Sequence, residues 1–398
     1  MHIQADPRVI MHTPEPRDGA AKYVAQLVVA LAQASVPVVL FCPANFEYSG
    51  MVRAAGVEIV PAPQRDVSPA GLARRLTRNF TFMARAAMTQ FRAVKRGDIV
   101  HFQNPLHLPL GFVFYGLVLL RGGSIVLTAH DPMPHRWRLP RILRWLERGM
   151  LQLQYRICAA IVVHNQRGSE VLLQDFGQRP GRVFIVPHGP DSQASPVATY
   201  PEFDSLRLLA FGAIRQNKGF DLAIDAIEKL AGKTSVPVYL TIAGRLANPA
   251  EEPYWLECKE RISRNTAFIE VIERFIDNDE ITPLMSRHHA IVLPYRDFFS
   301  ESGVAAQALS HGRPLLATSA GGLRELMEQG ACGVVIEAPT PDAVAAAIST
   351  AIDLGPGRLQ EMGLSGAMFL QSNRSWDSIA LQTKRIYSVL AEKTTPQQ

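Results

Sequence analysis

The chain has 398 residues, of which 47% are apolar and 19% charged, with a formal net charge of +5. That balance fits a folded protein of two or three domains and excludes collagenous, low-complexity and largely disordered chains. Its four cysteines, Cys42, Cys158, Cys258 and Cys332, stand far apart with no C-x-x-C pair, which argues against a zinc site or a disulfide framework and for a reducing compartment.

Short runs rich in Val, Ile and Leu alternate with longer helical patterns along the whole chain, as expected for parallel strands joined by crossover helices. In the first half, strands are expected at 9–13, 36–41, 57–60, 98–102, 124–128, 160–163 and 183–186. The longest apolar run, 108–120, is shorter than the roughly 20 residues of a membrane span and reads as a buried helix. The N-terminus lacks the basic-then-apolar layout of a secretory signal, so a cytoplasmic location is expected. Residues 189–204, with Pro190, Ser192, Ser195, Pro196 and Pro201 and no apolar period, read as a linker between domains 1–188 and 205–375. In the second half, strands are expected at 206–211, 236–243, 267–271, 290–293, 314–318 and 333–336. Gly355-Pro356-Gly357 breaks the helical pattern after them, and 376–390 forms a last amphipathic helix able to pack on either domain. Two doubly wound α/β domains follow, and ligands of such sheets sit beyond the carboxyl ends of the strands, which predicts a cleft between facing loops.

Charge is uneven. Residues 1–188 hold 22 Lys and Arg against 11 Asp and Glu. The cations cluster at Arg74, Arg75, Arg78, Arg85, Arg92, Lys95 and Arg96 and again at Arg136, Arg138, Arg141, Arg144 and Arg148, among Phe80, Phe82, Trp137 and Trp145. Such a mixture suits either solvated helix faces or an anionic membrane surface on the inner face of the plasma membrane. No nucleic-acid-binding module is recognisable, so no nucleic-acid partner is expected.

The most informative segment is residues 291–325, IVLPYRDFFSESGVAAQALSHGRPLLATSAGGLRE. A buried strand runs into a polar loop, and Ser302-Gly303 then opens a helix of small residues. Ser302 is a plausible N-cap, and free amides at Gly303 and Val304, with the positive end of the helix dipole, form an anion site suited to a diphosphate. Taken alone this is an ordinary capped helix. A second segment, FGAIRQNKGFD at 211–221, puts Arg215 and Lys218 on a strand-to-helix turn from which they can reach a diphosphate at that helix. Neither a Walker loop nor a G-x-G-x-x-G fingerprint is present.

These segments, together with TIAGR at 241–245 and VPHGP, VVHNQ, TAHDP and the Asp18-Gly19 turn in the first half, resemble the retaining GT-B glycosyltransferases of family 4 over nearly the whole chain. The resemblance implies two Rossmann-like domains facing across a cleft, with the first binding the acceptor and the second a nucleotide sugar. It implies that Arg215 and Lys218 hold the donor diphosphate, with Gly212 in the same loop and the amides around Ser302, Gly303 and Val304 on the same phosphates. Gly19 would let the acceptor-domain loop approach the donor, and His130 would stand near the donor sugar. Family members commonly carry two glutamates eight positions apart, one near the sugar and one on the ribose; here Phe299 and Gln307 occupy those positions. Gln307 can still bond a ribose hydroxyl, and Glu301 can serve near the sugar if the loop is shorter by two residues.

The expected activity is therefore sugar transfer with retention from a nucleotide-diphosphate sugar to a saccharide hydroxyl. No cofactor or metal ion is expected, since no Asp-x-Asp motif stands at a strand end. The basic, aromatic-bearing first half points to a lipid-linked acceptor and to bacterial exopolysaccharide or surface-glycan synthesis. The alternatives are a sugar-nucleotide epimerase of the same architecture and a catalytically silent nucleotide-binding subunit of a glycan assembly complex.

Overall fold

A computed structural model describes residues 6–63, 72–106, 110–134, 137, 139–191, 194 and 200–394. Of the positions singled out above, Arg136, Arg138, Ser192, Ser195 and Pro196 lie outside the described residues.

The chain divides into two compact units, Met1–Pro187 with Trp376–Gln398, and His188–Ser375. In the first, strands β1 (Val9–His12), β2 (Val38–Pro43), β3 (Glu58–Ala62), β4 (Ile99–Phe102), β5 (Ser124–Thr128), β6 (Ala160–Val163) and β7 (Val183–Ile185) form one parallel sheet in the order β3-β2-β1-β4-β5-β6-β7. In the second, β8 (Leu206–Phe211), β9 (Val238–Gly244), β10 (Ile269–Glu273), β11 (Ala290–Leu293), β12 (Leu315–Thr318) and β13 (Gly333–Ile336) run β10-β9-β8-β11-β12-β13. Central strands such as β1, β4, β6, β11 and β12 are buried at every residue, which is why they read as unbroken apolar runs.

The crossovers of the first unit are α1 (Asp18–Gln33), α2 (Ser49–Ala54), α3 (Leu72–Ala93), α4 (Leu110–Leu120), α5 (Arg144–Ile157) and α6 (Gln166–Glu170). Those of the second are α7 (Phe220–Leu230), α8 (Glu252–Ser263), α9 (Asn278–Ser286), α10 (Gly303–Ser310), α11 (Leu323–Gly330) and α12 (Pro341–Asn373), and α13 (Trp376–Thr394) ends the fold. The break at 355–357 is a kink inside α12, where Gly355 takes φ 73° ahead of Pro356. α13 packs on α1, sharing a core in which Ile379 and Tyr387 join Val24 and Leu27, and the Tyr387 hydroxyl lies 2.7 Å from His101 Nδ1.

One expectation needs correction. α4 is a helix but not a fully buried one: Val113 and Leu119 are exposed and Leu120 is 81% exposed, because only one side of the helix meets the sheet. Described residues of the segment 189–204 touch the second unit: Asp191 N donates to Ser310 Oγ (3.0 Å), the Tyr200 hydroxyl donates to the His289 carbonyl (2.7 Å), and Phe203 packs edge-on against His289.

Candidate active site

The strand order of the second unit reverses between β8 and β11, and the loops leaving the carboxyl ends of those two strands flank the resulting crevice. The β8 loop carries Arg215 and Lys218, and the β11 loop runs from Pro294 to Ser302 at the start of α10. Backbone contacts draw the loops together. Gly212, at φ 115°, comes so close that a Cβ there would stand 3.1 Å from Val304 Cγ2. Gly219, at φ 67°, presses on the Pro294 carbonyl so that a Cβ would overlap it.

Arg215 and Lys218 have no carboxylate partner among the described residues. Arg215 precedes a short 3-10 turn, Gln216–Lys218, and its Nε is buried with no hydrogen-bond partner. Lys218 Nζ lies 3.8 Å from the ring centroid of Tyr295 and 4.8 Å from that of Phe298, a cation over two aromatic faces. The Tyr295 hydroxyl is in turn 3.2 Å from Ser302 Oγ, which accepts the Ala305 amide as the N-cap of α10. This leaves the Gly303 and Val304 amides at the positive end of the helix, with Gly303 exposed. Lys218, linked to the start of α10 through Tyr295, with Arg215 on the same turn and the Gly303 and Val304 amides, makes an anion-binding arrangement.

The remaining residues of the α10 region are less open. The Glu301 side chain turns inward: its Oε2 lies 3.3 Å from Arg374 Nη1, and its Oε1 is buried without a partner. Burial pushes the Glu301 carboxyl above the usual carboxylate range, and the Arg374 guanidinium only partly offsets this. Gln307 Nε2 donates to Asp191 Oδ2 at 3.3 Å. His188 stands beside Gly303, its Nε2 4.0 Å from where a Cβ on that glycine would sit, and its Nδ1 donates to the Gly189 carbonyl. Burial lowers the His188 pKa, so its neutral form, with Nε2 as acceptor, is favoured.

In the first unit, Gly19 lies in the first turn of α1 with open space around it and no positive φ. His130 follows β5. Its Nδ1 is 2.9 Å from His164 Nε2 and its Nε2 is 3.3 Å from Gln103 Oε1, while Tyr23 meets both imidazoles edge-on. His164 Nδ1 points at the Val186 carbonyl (2.8 Å), which can only accept, so that nitrogen carries a proton. Sequence reading picked out His130 but not His164, nor Tyr295, Arg296, His188, Asp191 and Arg374 around α10. Most of these lie within quoted segments, but spacing alone gives no sign of what they touch. Two cavities, of about 380 and 480 Å3, open at the amino ends of the strands beside Arg156, Arg179 and Arg182 and beside Tyr239, Thr241 and Glu270, and adjoin neither set of residues.

Comparison with known proteins follows the same division. A model described as Glycosyltransferase Family 4 matches residues 17–194, and one described as Glycosyl transferases group 1 matches residues 205–353. Both models describe glycosyltransferases, and together they take in most of the chain. Glycogen synthase of Mycobacterium tuberculosis is 30% identical over 218 residues, 53% of this chain and 50% of that protein. GDP-mannose:glycolipid 4-beta-D-mannosyltransferase of Xanthomonas campestris pv. campestris is 28% identical over 203 residues, 50% of this chain and 51% of that one. The chain thus spans about half the length of these two curated relatives. The crystal structure of Anabaena HepE in complex with UDP and glucose superposes with a TM-score of 0.74 at 15% identity, covering 96% of this chain and 100% of that one. At that identity the likeness is one of fold, and that fold, with its two parallel-sheet units, is GT-B.

Proposed function

We propose that the chain is a retaining hexosyltransferase that moves a sugar from a nucleotide-diphosphate donor to a hydroxyl of a lipid-linked saccharide, in the synthesis of a bacterial exopolysaccharide or related surface glycan. The observation that carries this reading is a turn bearing Arg215 and Lys218, neither with a carboxylate partner among the described residues, whose Lys218 is joined through Tyr295 to the exposed start of α10. In transfer the bond from the sugar C1 to the diphosphate oxygen breaks, and its electron pair leaves on the nucleoside diphosphate. The acceptor oxygen bonds to C1, and its proton passes to the departing phosphate. Arg215, Lys218 and the helix amides stabilise the charge that develops there, a role they fill without a metal ion.

Support for a membrane-borne acceptor comes from the first unit. Residues 67–169 contain 15 Lys and Arg but only three carboxylates, Asp98, Asp131 and Glu147. Asp98 is paired with Arg8, and the buried Glu147 accepts the Leu139 amide. On α3, α4 and α5, Phe80, Met88, Val113, Leu119, Trp145 and Leu153 are exposed, and Ile142, in the 3-10 turn before α5, is 80% exposed. Apolar side chains set among a surplus of arginines suit an anionic lipid surface, and the similarity to a glycolipid-acting relative points the same way.

A thermal-shift screen with nucleoside diphosphates and their sugars tests the reading. A ligand at about 100 times its dissociation constant adds about 2.7 kcal/mol of stability. Lys218→Ala or Arg215→Ala is expected to remove most of that shift. No shift with any nucleotide would overturn the donor site, and nucleotide binding without acceptor-dependent glycoside formation would favour the silent subunit or, with a free epimer as product, the epimerase.

A further inference from the structure

We propose that Tyr295 and Arg296, adjacent residues on the loop after β11, are positioning residues that hold the two halves of the anion clamp in register; the inference rests on the donor-site reading above. Tyr295, 2% exposed, works toward α10. Its ring carries the Lys218 ammonium, its hydroxyl meets the capping Ser302, and its carbonyl accepts from Thr318 Oγ1 at 2.9 Å. One side chain therefore touches both the cation and the helix start.

Arg296 works toward the 215–218 turn. Its backbone N–H donates to the Asn217 carbonyl (2.8 Å), and Nη1 reaches the Gln216 carbonyl (3.3 Å). Nη1 and Nη2 also form a two-pronged pair with Asp221 Oδ1 (2.8 Å) and Oδ2 (2.6 Å), and the Tyr254 hydroxyl donates to the same carboxylate (2.9 Å). Both carbonyls lie between Arg215 and Lys218, so the turn that spaces the two cations is held by a third. Its charge is spent on Asp221, which separates Arg296 in kind from Arg215: Arg296 fixes the geometry, and Arg215 remains available to an anion. A lysine at 296 could keep the charge but not the planar, two-pronged geometry.

Two phosphates at a fixed spacing need cations at a fixed spacing. The test is therefore calorimetric binding of inorganic pyrophosphate and orthophosphate to the full chain and to Tyr295→Phe, Tyr295→Leu and Arg296→Lys. Wild type is expected to prefer pyrophosphate. Tyr295→Phe, which keeps the ring, should bind it within about threefold of wild type, whereas Tyr295→Leu and Arg296→Lys should each weaken it about tenfold and narrow its advantage over orthophosphate. A purely structural role would lower the melting temperature without changing that ratio in the folded protein. Unchanged ratios in Tyr295→Leu and Arg296→Lys, with Lys218→Ala still abolishing binding, overturn the positioning role alone. Should Tyr295→Leu fail to fold, Arg296→Lys decides by itself. Absence of pyrophosphate binding by wild type overturns the clamp and this inference with it.

Discussion

Glu301 and Arg374 form an ion pair at 3.3 Å with almost no solvent on either side chain, at 3% and 6% exposure. Arg374 caps the end of α12, one residue before the chain leaves the second unit, so the pair ties the loop ahead of α10 to the end of that unit. Removing one partner leaves a buried charge alone. Arg374→Ala is expected to lower the unfolding free energy by about 3–5 kcal/mol, measured by urea denaturation at neutral pH. A loss under about 1 kcal/mol would show that the pair is not buried as described.

The same carboxyl predicts a pH dependence. Burial raises the folded pKa of Glu301 above its ordinary 4.5, so its protonated form is favoured by folding. The contribution is full below the unfolded pKa and is lost as pH rises through the folded one. Against a Glu301→Gln reference, which does not titrate, wild type should lose relative stability as pH climbs from 4.5. Denaturation of both proteins across that range measures the difference, and a flat difference would refute it.

Gly219 closes the cationic turn in a left-handed conformation. Alanine there must take φ 67° and overlap the Pro294 carbonyl. Left-handed strain alone costs about 1–2 kcal/mol. Gly219→Ala should therefore destabilise the protein by at least that much and weaken nucleoside diphosphate binding, with thermal melts and calorimetry as the two readouts. An alanine variant as stable as wild type would contradict the tight approach.

For the apolar, arginine-flanked face, Trp145 supplies a natural probe at 67% exposure. Anionic vesicles are expected to shift its emission to the blue and to float the protein at low salt, and Ile142→Glu should weaken both effects. Raising ionic strength should release the protein, since the attraction is screened over about 10 Å at 0.1 M. Equal behaviour with neutral and anionic vesicles would remove the charge argument.

The strands were legible because parallel, doubly covered strands leave unbroken apolar runs, and every expected run corresponds to a strand among the described residues. The cationic character of 215–218 and the capped start at Ser302 were legible for a similarly local reason: each is written within a few consecutive residues. Partnerships between loops were not. Tyr295 under Lys218, Arg296 on Asp221, Asp191 on Gln307 and Glu301 against Arg374 join residues 73 to 116 positions apart. Which βα loops become neighbours depends on strand order, and no periodicity in the chain records that. Glu301 shows the consequence: sequence reading offered it to the sugar, while the fold turns its carboxylate toward a guanidinium that no nearby residue announces.

The placement of α13 bears on how the protein is made. The first unit's core takes Ile379, Ala380, Ile386 and Tyr387 from the far end of the chain. A ribosome adding about 5–20 residues each second would keep that core waiting on the order of 10–40 s for its last helix, while the second unit emerges complete in between. The half synthesised first should thus be the half finished last, and a nascent chain stalled before Trp376 should expose the Val24 and Leu27 face of α1 to chaperones.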